Sequence, residues 1–470
     1  METITAEEMV VLDTNCEYYG LSRLQLMENA GRCLAEEIMK LFDSGNLTIY
    51  AGLGNNGGDA FVSARFLKGF NIRILLMGKS SEIKTDIARR NLRILKESRY
   101  EIIEIRDSTM LEKDESDIIV DAMLGTGVRG GLREPYLTAV SVINSSKAFK
   151  VSVDVPTGMN PDTGEYEIAV IPDLTVTFHK MKPGLKKLEN VAVRDIGIPE
   201  FFEKLTGPGD VKKTYRRIKR GHKGTHGKVL VIGGGPYSGA PALAAIAAYA
   251  AGADLVVVAV PESVYEITAS FSPNLIVKKL KGDEISEKHI RELSEISSRF
   301  HVSVIGMGTE NKSEFAEEFL KYVDKAVLDA GALTTQVPED AECIMTPHRT
   351  EFRNIFGFDV ENEKDVMKAA GKSNSVILLK SVEDIISDGE RVKINRTGNA
   401  GMTVGGTGDL LAGIAGAFLC NENPFWSACS AAFINGYAGD MCFNKAGYNY
   451  TAMDMVEKIP LAVKESIEFV

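Results

Sequence analysis

The stretch KVLVIGGGPYSGAPALAAIAAYAAGADLVVVAV, residues 228–260, decides the fold of the second half of the chain. A short β-branched run leads into a glycine turn, and an apolar run at 241–260 follows that is long enough to be mistaken for a membrane span. Gly252 and Asp254 interrupt the run where a helix would hand over to a strand. The reading is therefore a buried helix and a strand that open an α/β series. Its strands are expected near 229–232, 255–260, 302–305, 326–329, 343–346 and 375–379.

The first half has the same rhythm. Residues 1–44 read as helical, and the runs LTIYAGLG, FNIRILLMG, SDIIVDAML, FKVSVDVP and DLTVTFH alternate with helical stretches, as in βα units around a mostly parallel sheet. The order fades after Asp195, and EFFEKLTGPGDVKKTYRRIKRGHK, from residue 200, reads as a solvated linker with a basic cluster. The expected division is 1–210 and 211–470: a Rossmann-like three-layer α/β/α domain, then a second α/β domain. At 470 residues, two cores are the natural expectation.

Composition narrows the function. With 44% hydrophobic and 25% charged residues the chain is ordinary for a globular protein, and a net charge of −11 argues against nucleic acid or an anionic membrane as partner. Six cysteines without a CxxC pair, and an N-terminus without a basic-then-apolar leader, fit a reducing cytoplasm. His222 and His226 lie four apart in HKGTH, but the intervening Gly-Thr and the lack of a companion ligand argue against zinc.

Four loops of the first half end strands and carry polar groups: GLGNNGGDAFVSARFLKG (52–69), VDAMLGTGVRGGLREP (120–135), SVDVPTGMNPDTG (152–164) and TFHKMKPGL (177–185). Each alone is compatible with a tight turn or a capping acid. Together they can converge on one crevice at the carboxyl ends of the strands, where glycine-rich turns present amides to an anion. The set resembles the NAD(P)H-hydrate epimerase domain over most of residues 1–205. The resemblance implies that Asn55, Asn56, Gly57, Gly58 and Asp59, with Gly125, Thr126, Gly127, Val128, Arg129, Gly130 and Gly131, hold the dinucleotide hydrate. It also implies potassium on Asn56, Asp121 and Thr157, and Asp154 as the proton-transfer group beside Lys182.

In the second half GGTGDLLAG leads glycine, threonine and Asp409 straight into a helix, a place for an anion at the amides and for an acid aimed at a hydroxyl, or for a plain helix cap. The motif resembles the anion hole of the ribokinase-like superfamily. HKGTHGKVLVIGGGPYSGAPALAAIAAYAAGADLV (222–256), GMGTE (306–310), TPHRTEF (346–352), LLKS (378–381) and NRTGNAGMTVGGTGDLLAGI (395–414) narrow it to the ADP/ATP-dependent NAD(P)H-hydrate dehydratases.

That resemblance implies contacts of Ala240, Gly308, His348 and Asp409 with the S-hydrate. It implies a nucleotide held by Lys380, Asn399, Ala400, Gly401, Met402, Thr403, Gly405, Gly406, Thr407 and Gly408, with magnesium and ADP, or ATP, as cofactors. Asp409 and Asp154 are then the catalytic acids, with Lys182. Two departures stand out: Ser381, Glu383 and Asp384 follow Lys380, and Arg349-Thr350 replace Pro-Gly in TPHRTEF.

The expected function is bifunctional repair of hydrated nicotinamide cofactors. R- and S-NAD(P)HX are interconverted, and the S form is dehydrated at the expense of ADP with release of AMP and phosphate. The alternative is a ribokinase-like small-molecule kinase fused to a non-catalytic nucleotide-binding domain. Expected partners are the small molecules NADHX, NADPHX and ADP, and further copies of the chain in a homo-oligomer.

Overall fold

The computed structural model describes residues 3–127, 130–217 and 221–469. Its contacts divide the chain into two compact units, residues 1–200 and 201–470.

In the first unit, strands β1 (Gly45–Ala51), β2 (Phe70–Leu76), β3 (Glu101–Glu104), β4 (Ile118–Ala122), β5 (Phe149–Val153), β6 (Leu174–Phe178) and β7 (Val191–Arg194) form one sheet. Their order is β3-β2-β1-β4-β5-β6-β7, with every pairing parallel. The order reverses between β1 and β4, and the loops after those strands therefore diverge and leave a crevice. The two strands missing from the sequence reading are β3, EIIE, and β7, VAVR; each is four residues long and lacks a fully buried residue. At the edges of the sheet, a partner on one side only removes the apolar run that betrays a central strand.

The helix Arg23–Leu41 buries Leu26, Met27, Ala30, Leu34 and Ile38, a spacing of three and four residues that lines one face. Gly31 lets this face close on the helix Asn55–Phe66: a Cβ there would meet the Asp59 carbonyl oxygen and Val62 at 2.4 Å. The packing thereby seats the first turn after β1.

The second unit adds β8 (Lys228–Ile232), β9 (Leu255–Pro261), β10 (Ile276–Leu280), β11 (Val302–Ile305), β12 (Lys325–Leu328), β13 (Glu342–Met345), β14 (Val376–Leu379), β15 (Asp384–Ser387) and β16 (Val392–Asn395). The order is β10-β9-β8-β11-β12-β13-β14-β15-β16, parallel up to β14 and antiparallel at the last two pairings. The opening stretch 228–260 forms β8, the helix Gly239–Ala250 and β9, and no helix among the described residues is long and apolar enough to cross a membrane. The helix Thr407–Leu419 lies on Gly239–Ala250 with Gly413 so close that a Cβ would meet the Ala244 carbonyl oxygen at 2.0 Å. That contact sets where the amino end of the Thr407 helix points.

The solvated-linker reading of 200–223 is corrected. Ile394 of β16 donates its N–H to Lys204, and Thr206 donates back to Ile394. Residues 204–206 thus cover the edge that β16 would otherwise expose. Pro208–Thr214 is helical, and its buried Asp210 pairs with Lys393 at 2.7 Å. A buried ammonium needs this carboxylate, since an unpaired charge there costs several kcal/mol on the order of, and the unit accordingly begins ten residues before the expected boundary. Arg216 and Arg217 of the basic cluster reach Glu422 and Asp254, each at 3.5 Å, while Ile218, Lys219 and Arg220 lie outside the described residues.

Candidate active sites

In the first unit the expected residues collect at the carboxyl ends of β1, β4, β5 and β6. Asn55–Asp59 form the first turn of the helix Asn55–Phe66, whose N-cap Gly54 makes no side-chain cap, so the first amides remain open to a ligand. Gly52 must lack a side chain because a Cβ would meet the Met123 carbonyl oxygen at 1.7 Å; the first loop thus presses against the second. Gly125, Thr126, Gly127, Gly130 and Gly131 belong to that second loop, whereas Val128 and Arg129 lie outside the described residues.

Asp121, fully buried at the end of β4, accepts from Ser152 Oγ at 2.9 Å, Thr157 N at 2.8 Å and Thr157 Oγ1 at 2.5 Å. Burial raises its carboxyl above the ordinary value, and these hydrogen bonds oppose the rise. The Asn56 amide lies against Gly125, and its buried Nδ2 has no hydrogen-bond partner. A carboxylate, a hydroxyl and an amide oxygen are hard donors of the kind that fit a hard cation such as potassium, whereas the unsatisfied Nδ2 calls for an acceptor.

Asp154, directly after β5, adopts φ 61°, a left-handed backbone that a non-glycine residue holds only under constraint. Its Oδ1 accepts from Lys182 Nζ at 2.6 Å and from Thr177 Oγ1 at 3.0 Å. Lys182 is 1% exposed and also donates to Thr177 Oγ1 and the Phe178 carbonyl, each at 3.0 Å. Among the described residues every hydrogen bond to the carboxylate goes to Oδ1, which leaves Oδ2 for a ligand.

The sequence reading missed Asp13. Burial pushes its carboxyl up to about 7, Arg23 and Lys182 pull it down, and Asp154 raises it. Asp59 is likewise raised by burial and then by Asp154 and Asp13. The available signal was an acid among the buried Val11, Leu12, Thr14, Asn15 and Cys16 of the helix Ala6–Tyr18.

In the second unit Ala240, Gly308, Gly405, Gly406 and Asp409 line one cavity of about 610 Å3, together with Tyr237, Ser238, Leu243, Thr309 and Ala330. Gly406 is the N-cap of the helix Thr407–Leu419 at φ 100°, so Asp409 is no cap, and among the described residues its carboxylate accepts no hydrogen bond. Burial pushes Asp409 up to about 7; Asp329 adds to the rise and Lys380 opposes it.

Lys380, after β14, reaches Asp329 Oδ1 at 2.8 Å and Glu351 Oε2 at 3.9 Å, and lies beside Gly408. Burial disfavours its charge, yet Asp329, Glu351 and Asp409 hold it above the ordinary value. Asp329 also accepts from Thr346 Oγ1 at 2.7 Å. Neither Asp329 nor Glu351 was singled out beforehand; an acid directly after a strand was the available signal in VLDAG. These two carboxylates are hard oxygen donors that fit magnesium.

The remaining loop residues are anchored. Asn399 donates to Asp440 at 2.9 Å and accepts from Tyr450 OH at 2.7 Å, Ala400–Thr403 form a short turn, and Thr407 Oγ1 donates to the Met402 carbonyl. His348 stands outside the cavity lining: it caps the helix Arg349–Phe356, and its backbone pairs with Lys380. The atypical residues turn out to be engaged locally. Asp384 accepts from Ser381 N and Asn395 Nδ2 at 3.0 Å, Glu383 pairs with Arg396 at 3.0 Å, and Arg349 Nε donates to Ser381 Oγ at 3.2 Å. His226 Nδ1 lies 3.0 Å from Asp254.

Two family models match the chain. One described as NAD(P)H-hydrate dehydratase matches residues 229–461, and one described as YjeF-related protein N-terminus matches 23–184. A protein of Archaeoglobus fulgidus named bifunctional NAD(P)H-hydrate repair enzyme Nnr is 58% identical, over 98% of this chain and 99% of its own. One of the same name from Methanothermobacter thermautotrophicus is 43% identical, over 96% and 94%. The solved structure of an ADP/ATP-dependent NAD(P)H-hydrate dehydratase from Bacillus subtilis, co-crystallized with ATP/Mg2+, is 24% identical over 55% of this chain and 96% of its own, with a TM-score of 0.49.

Proposed function

The chain belongs to the bifunctional NAD(P)H-hydrate repair enzymes, and from that premise we propose how its residues divide the work. The first half epimerises R- and S-NAD(P)HX; the second dehydrates the S form to NAD(P)H in a nucleotide-dependent reaction. The donor in this reading is ADP, with ATP as an alternative.

In the second half Asp409 takes the proton from the hydroxyl on C6 of the hydrated ring. The oxygen then attacks the terminal phosphorus of ADP, and AMP leaves. The C6–O bond next breaks with phosphate as leaving group, C5 loses a proton, and the ring double bond returns. The supporting observation is that Asp409, alone among the acids near Lys380, lines the 610 Å3 cavity with an unengaged carboxylate. Open amides at the start of its helix receive the transferred phosphoryl charge, and Lys380 neutralises it. Magnesium on Asp329 and Glu351 supplies charge neutralisation at the phosphates when bound. The S-hydrate rests on Ala240, Gly308 and His348, and the nucleotide on residues 399–408.

In the first half Asp154 moves the proton with its free Oδ2 while Lys182 holds Oδ1, an assistance worth roughly 10²–10⁴ in rate. Asn55–Asp59 and the loop 125–131 seat the dinucleotide. Asn56, Asp121 and Thr157 would hold potassium, which would supply positive charge to the site.

Six cysteines, none in a disulfide among the described residues, suit a cytoplasmic location. Exposed Tyr166, Ile168 and Ile171 in one loop offer apolar surface to a homo-oligomer. The test of function is recovery of reduced cofactor from mixed R/S hydrate with ADP or ATP, in potassium and in tetramethylammonium salts. Full recovery requires both halves. Recovery stalling at the S fraction when potassium is removed supports the cation site, whereas an unchanged R-form rate rejects it.

A further inference from the structure

The sheet order of the first unit, with its reversal between β1 and β4, is that of dinucleotide-binding folds, in which the adenosine ribose lies at the end of the second strand. An acid there accepts the 2′-hydroxyl of an unphosphorylated ribose; a cation suits a 2′-phosphate. In this chain β2 ends at Leu76, and Met77, Gly78, Lys79 and Ser80 follow.

The nearby acids are already occupied. Glu82 accepts from Lys79 N at 3.1 Å. Glu104 accepts from Ser80 N at 3.0 Å and from Ser80 Oγ, bonds that hold its carboxyl down at about 2. Lys79 and Lys84 are exposed, and among the described residues neither ammonium has a hydrogen-bond or ion-pair partner. The segment is fastened to the glycine loop: Lys84 N donates to the Leu53 carbonyl at 2.9 Å, and Thr85 Oγ1 to Asn55 Oδ1 at 2.7 Å. A Cβ on Gly78 would meet the Leu53 side chain at 2.9 Å. The two cations are thus carried on the turn that abuts the dinucleotide seat.

We propose that Lys79 and Lys84 form a 2′-phosphate subsite, so that the epimerase half selects the phosphorylated hydrate NADPHX over NADHX. The inference rests on the glycine loop being the dinucleotide seat. Glu82 and Glu104 are directed to the Lys79 and Ser80 amides and to Ser80 Oγ, and two ammonium groups without a bonded partner among the described residues are what remains for the ribose edge. Two exposed ion pairs correspond to a preference of about tenfold, since each contributes at most about a factor of five. Exposed charges are screened, so the preference shrinks as ionic strength rises.

The test uses the full chain without any nucleotide donor, which silences dehydration, and follows epimerisation of NADPHX and NADHX by the wild type and by Lys79→Ala/Lys84→Ala. The expected result is a fall of about tenfold in kcat/KM for NADPHX, carried by KM, with NADHX changed less than twofold. Lys79→Arg/Lys84→Arg retains the preference. Binding of NADP+ and NAD+ to the same proteins is titrated in parallel: the alanine variant loses affinity for NADP+ and keeps that for NAD+. A ratio unaltered by the alanines, or equal loss on both dinucleotides, overturns the subsite. Absence of turnover on both hydrates with the NADP+ difference intact counts instead against the epimerase assignment.

Discussion

Both halves set an aspartate near a lysine, buried in the first and half-buried in the second, yet the two pairs are wired differently. In the first half Lys182 grips Asp154 itself, at 2.6 Å, and fixes one oxygen while the other accepts no hydrogen bond among the described residues. In the second, Lys380 grips Asp329 at 2.8 Å, and Asp409 has no bonded partner among the described residues and is pushed up to about 7. The roles proposed for the two aspartates account for the difference. A group that must pass a proton reversibly benefits from being held in one orientation. A group that must strip an alcohol next to incoming phosphates benefits from an elevated affinity for the proton and from a lysine kept free of it for the phosphates.

The harshest way to break the comparison is Asp409→Asn. Dehydration falls by about 10³ or more, as expected for loss of a base acting only in the transition state, while R/S interconversion continues. Recovery of reduced cofactor and the isomer ratio, read on one sample, separate the two activities. Retained dehydration would remove Asp409 from its role.

Next comes Lys182→Met. Because Lys182 is buried and Asp154 depends on it, the variant loses about 10² in epimerisation and roughly 3 kcal/mol of stability, the cost of stranding the partner of an enclosed ion pair. Urea titration checks the second number. Wild-type stability would mean that Asp154 is solvated well enough to stand alone.

Legibility in the sequence follows the same division. The central strands and the glycine turns could be read because burial on both faces and positive φ leave marks in residue type. The edge strands β3, β7, β10 and β16, and the short β15 between β14 and β16, left weaker marks, and 201–214 looked like linker because its burial depends on β16, nearly two hundred residues away. The loops carrying Asp154, Lys182 and Asp409 were legible through their neighbours. Asp13 and Asp329 left only a faint local mark, an acid among buried positions and an acid directly after a strand, and Glu351 left none, because a charge that works by facing another charge across a fold has little local spacing to betray it.

The third test concerns sign. Asp409 rises from its ordinary 3.8 to about 7 on folding, so the folded state binds this proton more tightly. Its contribution to stability is full below 3.8 and is lost as pH climbs through about 7. Asp409→Asn does not titrate, and above neutral pH it is therefore more stable than the wild type by about 2 kcal/mol, a value reduced for the partial exposure of the group. Over the same range wild-type dehydration rises tenfold per pH unit until about 7 and then levels, since only the carboxylate works. Thermal unfolding at pH 5 and pH 8 checks the first statement and a pH–rate profile the second. The opposite stability effects of Lys182→Met and Asp409→Asn are what the two wirings require.

The smallest effect is expected at Glu383, an acid beside the nucleotide lysine. Its partner is Arg396 at 3.0 Å, and both side chains are about half exposed, so the pair itself contributes less than about 1 kcal/mol. Asp384 differs: it is bonded to Ser381 N and Asn395, and burial raises it to about 6, which makes it part of the turn's framework. Glu383→Gln thus lowers the KM for ADP by about twofold through removal of one screened negative charge, leaves kcat unaltered and does not shift the unfolding midpoint measurably. Asp384→Asn, by contrast, releases the hydrogen bond that shapes the chain just after Lys380. It should raise the KM for ADP, because the lysine is then no longer held between Asp329 and the phosphates it must meet. Equal behaviour of the two variants would mean that the acids act only as charges, and the distinction drawn between the two lysines would lose its structural basis in the second half.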